Sequence, residues 1–399
     1  MATPQTNASS SWRAQIRRRR TPLLILLGVV MVAIAALAGG GWYYANLLKD
    51  GALVPDHDPD KLDLRVIALT DGVVTLGVTS EAEGDGDWQK DGVFGLAGEN
   101  GYGQVGAILE IDDDLVVREF FAIDVDGIPV VGDPVRLDSF AFPGDPLQAF
   151  SIGFEDVTFP SQLGDLSAWF VDGPRDTWVI FVHGKGAERR EGLRALPTIS
   201  ELGFPSLLIT YRNDEGAPAS SDGYYRYGQT EWKDLEAAAE YAVRQGADEL
   251  IIVGYSMGGA IAISFLYESP LAERVAAVIL DSPVLDFGAT VDVEARQRGI
   301  PGLLTAVAKR IAGLRFDIDW DDLNYLSRAD ELSAPILLFH GDADETVPVR
   351  TSDTLAESRP DIVTYIRVEG ADHVRAWNAD PAAYESALRD FLAAVTGPR

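Results

Sequence analysis

Leu250-Ile-Ile-Val-Gly254-Tyr-Ser256-Met-Gly258-Gly259-Ala-Ile-Ala-Ile-Ser-Phe-Leu-Tyr267 decides the fold. An apolar run enters Gly-x-Ser-x-Gly and leaves as a second apolar stretch, which reads as a strand, a tight turn and a helix that opens at Met257. The turn strains the serine backbone and leaves no room beside it, so glycines must flank it. That geometry lifts Ser256 Oγ out of the sheet. It also aims the Met257 N–H, at a helix N-terminus, toward a developing oxyanion.

A serine at its free pKa is a poor nucleophile and needs a base held by a carboxylate. On such a fold the acid and the histidine follow the serine, at the ends of later strands. Pro335-Ile-Leu-Leu-Phe-His-Gly-Asp342-Ala-Asp344-Glu-Thr-Val-Pro348 is a strand ending in acids, and Gly370-Ala-Asp372-His373 follows the next strand. The chain has four histidines, His57, His183, His340 and His373, and His373 alone lies beyond those acids. His183 and His340 each precede a glycine at a strand end and read as structural loop residues. The acid is left between Asp342 and Asp344.

Strand candidates in the same region are Phe154–Phe159, Leu166–Val171, Trp178–His183, Pro205–Tyr211, Glu249–Tyr255, Val275–Asp281, Pro335–His340 and Ile362–Val368. Between the fourth and fifth, Trp232, Leu235, Ala239, Ala242 and Val243 recur at helical spacing, predicting a helix from near Thr230 to Gly246. Strands separated by helices imply βαβ units, hence a mostly parallel sheet with helices on both faces.

Over residues 154–397 the chain resembles the α/β-hydrolase superfamily, and within it the esterase, lipase and S9- or S33-peptidase-like serine hydrolases. Their motifs are matched by His183-Gly184-Lys185-Gly186, by Gly254–Gly258 around the serine, by His340-Gly-Asp342-Ala-Asp344-Glu-Thr-Val-Pro348, and by Gly370-Ala-Asp372-His373. The resemblance implies Ser256 as nucleophile, Asp344 as the acid, with Asp342 as the alternative, and His373 as the base. It also implies that the Lys185 and Met257 backbone N–H groups form the oxyanion hole. The loop at His183 is not His-Gly-Gly-Gly, and Lys185 sets a cation beside the site. Between Val284 and Leu332, with helical text around Leu303–Leu314, the chain leaves the sheet where such folds place a lid, so a small lid is expected over about 284–332. Asp286, just past the strand, reads as a turn aspartate.

Upstream the texture changes. Residues 62–150 are short apolar runs cut by Asp-Gly and Gly-Asp turns, with no convincing amphipathic helix, and predict a small β-rich domain. Gly101-Tyr-Gly103-Gln-Val-Gly106 formally matches a dinucleotide fingerprint. The text after it reads as strand rather than helix, so the match predicts no cofactor site. Asp112–Asp114, Asp124 and Asp126 lack calcium-loop spacing and read as hairpin turns. Residues 49–61, with two prolines and several acids, read as a linker with His57 in solvent.

Thr21–Leu48 is 28 residues without a charge, behind a basic tail (1–20) that ends in Arg17–Arg20. Residues 21–48 are predicted to be a transmembrane signal anchor, with Trp42, Tyr43 and Tyr44 at the far interface, the N-terminus cytoplasmic and the catalytic domain outside. Ala36-Leu37-Ala38 before Gly39 offers the alternative of a cleaved signal and a secreted enzyme.

The 399 residues carry a net charge of −29 with 47% hydrophobic residues, so a large core is available. All 62 acids lie beyond residue 49, against 27 bases there, a field that repels nucleic acid and anionic lipid. No cysteine is present, which excludes disulfides, thiolate metal sites and cysteine nucleophiles, and no metal or organic cofactor is called for. The expected protein is therefore a membrane-anchored extracytoplasmic serine hydrolase acting on an acyl ester or amide, carboxylesterase- or lipase-like. The alternatives are a peptidase or acyltransferase on the same residues, or a non-catalytic surface binding module.

Overall fold

The computed structural model describes residues 9–57, 61–79, 86–112, 114–123 and 127–397. Asp113, Asp124 and Asp126, read as turn residues, lie outside the described residues. The chain divides into two units: residues up to Gly51 with Ala295–Ile318, and Ala52–Glu294 with Asp319 onward.

In the first unit, α1 (Ser9–Leu48) continues into a π-helical turn, Lys49–Leu53. Leu24–Leu53 is apolar and long enough to cross a membrane. A helix from the 295–318 segment packs along its C-terminal end, where glycine is needed. A Cβ on Gly41 would lie 2.5 Å from Val307 Cγ1, and one on Gly40 would lie 3.0 Å from Leu304 Cδ1. The Arg315 guanidinium lies 3.5 Å from the centre of the Trp42 ring and donates to Asn46 Oδ1 at 3.0 Å.

The second unit begins with β1 (Leu64–Thr70), β2 (Val73–Val78), β3 (Phe94–Gly98), β4 (Gly101–Asp112), β5 (Leu115–Ala122) and β6 (Pro134–Asp138), which close a barrel in the order β1-β2-β5-β4-β3-β6. Its interior is Leu64, Val66, Val74, Leu76, Phe94, Leu96, Val105, Val116, Phe120 and Val135, all buried. The glycine triplet read as a non-fingerprint lies on β4. A Cβ at Gly103 would lie 2.3 Å from the Phe120 ring, so Phe120 fills the place a side chain would take. Among the described residues Asp112 and Asp114 flank the β4–β5 turn, and no metal-binding group is found.

After α2 (Pro146–Phe150) come β7 (Glu155–Pro160), β8 (Asp165–Val171), β9 (Thr177–Val182), α3 (Leu196–Glu201), β10 (Ser206–Ile209), α4 (Trp232–Arg244), β11 (Glu249–Tyr255), α5 (Met257–Glu268) and β12 (Val275–Asp281). Then follow α6 (Phe287–Gln297), α7 (Gly302–Phe316), β13 (Ile336–Gly341), α8 (Arg350–Ser358), β14 (Val363–Val368), α9 (Ala376–Ala379) and α10 (Pro381–Thr396). The sheet has eight strands in the order β14-β13-β12-β11-β9-β10-β8-β7. It is parallel from β14 to β10 and antiparallel at β8 and β7. The chain runs from β9 to β10 on one side and returns to β11 on the other, so the C-terminal ends of β9 and β11 flank a topological switch, the usual place for a site.

The central strands read as continuous apolar runs because both faces are covered. Leu250–Tyr255 is buried throughout, and so is α5 from Met257 to Phe265. A helix apolar all round is stable only inside a core, and its 12 residues are too few to span a bilayer. Each Ile, Leu or Val so buried contributes about 1.5–3 kcal/mol. The insertion between β12 and β13 holds two helices where one was expected, α6 being the addition, and Asp286 accepts the Ala289 N–H at 2.8 Å as its cap. The segment read as a linker is tied down at its start, where Leu53 O accepts from Tyr225 N–H at 2.8 Å and Ala52 O from the Tyr227 hydroxyl at 3.1 Å.

Candidate active site

Ser256 sits on the turn between β11 and α5 with φ 49° and ψ −114°, a strained conformation for a residue with a side chain. The glycines explain how the turn is reached. A Cβ at Gly258 would lie 2.1 Å from Val182 O, and one at Gly254 would lie 2.7 Å from Gly258 O. Ser256 N–H donates to Asp281 O at 3.0 Å, which ties the turn to the end of β12.

The structure brings the three sequence-predicted side chains into line. The Ser256 hydroxyl meets His373 Nε2 at 2.8 Å, and His373 Nδ1 meets Asp344 Oδ2 at 2.8 Å. A carboxylate accepts only, so Nδ1 carries the proton and Nε2 is left to receive the serine's. Burial disfavours charge on His373, but the hydrogen bond and charge of Asp344 outweigh it, with Glu191 and Asp281 adding, and hold its pKa above the ordinary value. Asp344 is fully buried, which alone would raise its pKa. Hydrogen bonds from His340 and His373, with their charges, overcome that and hold it well below the usual carboxylate range. Its other oxygen accepts from the Thr346 and Val347 N–H groups at 2.8 and 2.7 Å. Asp342, the alternative acid, accepts the Gly370 N–H at 2.7 Å and shapes the loop before His373.

Lys185 and Met257, the expected oxyanion donors, lie on the two segments beside Ser256. Met257 opens α5, so its N–H has no acceptor within the helix. Gly184 is pressed on the serine, since a Cβ there would lie 3.1 Å from Ser256 Cβ. Its N–H donates to Glu191 Oε2 at 2.7 Å. Burial lowers the pKa of the Lys185 ammonium, with Asp56 and Glu294 opposing.

Three further residues pack around these side chains, and none was assigned that place from the sequence. His340, read as a loop residue, is fully buried with Nε2 3.1 Å from Asp344 Oδ2, and Ser352 meets its Nδ1 at 2.7 Å. The His340 Nε2 thus lies between the Asp344 carboxylate and Val347 O, also at 3.1 Å. Arg194 donates to Val374 O at 2.6 Å, directly after the base, and to Asn378 Oδ1 at 2.9 Å. Glu191, 3.5 Å from Arg194, joins that support to Gly184. His183 does hold its loop, as expected, with Nε2 2.9 Å from Asp214 Oδ2 and Nδ1 2.9 Å from Gly184 O. Burial works against its charge, but Asp214 prevails and its pKa is raised.

A cleft of about 850 Å³ opens over Ser256 and His373, lined among others by Lys185, Trp169, Arg189, the barrel residue Arg136 and Phe140 in the turn after β6. Asp56 and His57, read as solvated linker residues, lie on its wall.

A model of the prolyl oligopeptidase family, a peptidase S9 family, matches residues 199–398. The chain belongs to this family. It is an α/β hydrolase of the S9-like branch, a serine-hydrolase family. It is similar to the uncharacterized protein YfhR of Escherichia coli K12, 25% identical over 281 residues that span 66% of this chain and 90% of that protein. An esterase of Pyrococcus furiosus has a similar fold, with TM-score 0.52 and 22% identity, covering 64% of this chain and 96% of the esterase.

Proposed function

We propose that this is a membrane-anchored, extracytoplasmic serine hydrolase that cleaves a carboxylic ester or related acyl bond through Ser256, His373 and Asp344. The observation that carries the reading is His373, held at 2.8 Å from both the serine hydroxyl and the buried carboxylate. Ser256 Oγ attacks the acyl carbon while Nε2 takes its proton. Asp344 orients the ring and stabilises the imidazolium. The Lys185 and Met257 N–H groups receive the oxyanion. The imidazolium then protonates the leaving alcohol or amine, leaving an acyl-serine. Water, deprotonated by the same nitrogen, releases the acid.

The family match favours a second reading, a peptidase on the same three residues. Full-length protein in detergent separates them. Activated-serine labelling by a fluorophosphonate, with hydrolysis of acyl esters of graded length and no turnover of peptides, supports the esterase. Turnover of peptides in preference to esters supports the peptidase. A folded protein that fails to take the label overturns both and leaves a binding module. Anchoring rests on the apolar span of α1, and Arg17–Arg20 ahead of that span favour a cytoplasmic N-terminus. Protease applied to intact cells should remove the catalytic domain.

A further inference from the structure

Residues 295–318 run against the charge of the rest of the chain. They hold five bases, Arg296, Arg298, Lys309, Arg310 and Arg315, and one acid, Asp317. Their helix, α7, has three distinct faces. Thr305, Ala308, Ala312 and Phe316 are buried. Leu304, Val307, Ile311 and Arg315 include the side chains that meet Gly40, Gly41, Trp42 and Asn46 of α1. Leu303, Ala306, Arg310 and Leu314 face outward, with Leu303 66% and Leu314 76% exposed. An outward face with two leucines, on a helix with three bases and no acid, is unlike an ordinary solvated face.

We infer that this face of α7 docks on the surface of the bilayer that α1 crosses, its leucines entering the headgroup boundary and its Arg310, with the exposed Arg296 at the end of α6, meeting anionic lipid headgroups. The inference rests on the membrane reading of α1. What favours a lipid surface is that α7 lies along the C-terminal end of a 30-residue apolar span, beside the interfacial ring of Trp42, and carries the charge that anionic headgroups attract. The β12–β13 insertion would then be seated at the membrane by its own helix, apart from the tether that α1 provides.

The test exploits the absence of cysteine. Leu314→Cys, Val32→Cys and Leu163→Cys each give a full-length chain with a single thiol for a nitroxide. The labelled chains are reconstituted in phosphatidylcholine vesicles with and without phosphatidylglycerol, and accessibility to oxygen and to a water-soluble nickel chelate is compared. Val32, 71% exposed on α1, reports the span, and Leu163 reports water. We expect Leu314 to be shielded from the chelate several-fold relative to Leu163 in the anionic vesicles, and R296Q/R310Q to return it toward water. Leu314 as open to the chelate as Leu163, with Val32 still in lipid, overturns the docking and leaves the anchor standing. Val32 open to the chelate overturns the anchor itself. Shielding of Leu314 indifferent to phosphatidylglycerol and to the arginines overturns the headgroup contact.

Discussion

The barrel and the eight-stranded sheet both bury a cation, and they do so in opposite ways. In the sheet region Arg212 meets a carboxylate: Nε and Nη2 reach Asp234 at 2.6 and 2.9 Å, both residues buried. In the barrel, Arg118 is fully buried among carbonyls. It donates to Gly106 O, to Lys90 O and Gly92 O at 2.9 Å, and to Trp88 O at 3.4 Å. Burial pulls its pKa down to about 10, with Asp91 opposing. A buried pair fixes two elements to each other, whereas a cation among carbonyls fixes the course of a loop. The loop so fixed, 88–92, carries Lys90, which pairs with Asp372 immediately before the catalytic-site histidine. Gly92 packs under Asn378 O, and Asn378 donates to Val93 O and Ser139 O at 2.7 and 2.9 Å. The sheet region therefore carries the proposed reactive groups, while a barrel loop pairs with the residue before His373.

That contrast breaks first at the serine. Ser256→Ala should lower ester turnover by about 10⁶ and abolish fluorophosphonate labelling, with the melting temperature little changed. If a barrel substitution matched that loss at full stability, the division of labour would be wrong. Asp344→Asn comes next, at about 10⁴ in turnover, because the histidine loses its tautomer and orientation. The pH profile sharpens the point. On the proposed mechanism neutral His373 is the active form, so the acid limb of kcat/KM in the parent should lie above 6.5, the ordinary imidazole value. Asp344 is what raises it against burial, so in Asp344→Asn the residual activity should show the limb moved down.

Smaller effects test the brace. Lys90→Met removes the barrel's charge on Asp372 while leaving every sheet residue in place. Turnover should fall about tenfold or less, since loop placement rather than chemistry is disturbed, and steady-state kinetics would reveal it. Unchanged kinetics would mean the two regions touch without cooperating. Arg118→Met should have the least effect on labelling of Ser256 and a larger one on stability. It orphans several carbonyls at about 1–3 kcal/mol for each that stays dry, which a thermal melt would register as an early barrel transition.

How much of this was legible beforehand varied with the range of the interaction. Strands β11 and β12 were predicted with the bounds they have, and β10, predicted as Pro205–Tyr211, is Ser206–Ile209. Central parallel strands are continuous apolar runs whose ends are marked by the turns that follow. That Ser256, His373 and Asp344 would meet was legible because a sharp turn demands glycines and the proposed relay demands particular residue types in a particular order. Helix α6 escaped because Gly288, Thr290, Val291 and Val293 are poor helix formers, although Phe287, Val291 and Ala295 form a buried stripe.

By itself, then, the sequence determined the local chemistry: an elbow that only glycines permit, one histidine beyond the acids, an uncharged run behind arginines, and acidity everywhere else. Tertiary structure alone decided that His340, Arg194 and Glu191 pack around the site. It also decided that a barrel loop reaches the base and that α7 lies along α1. Those contacts join residues many positions apart, and neither spacing nor residue type records which distant groups will meet. Only closure of the barrel and the crossover of the sheet bring them within bonding distance.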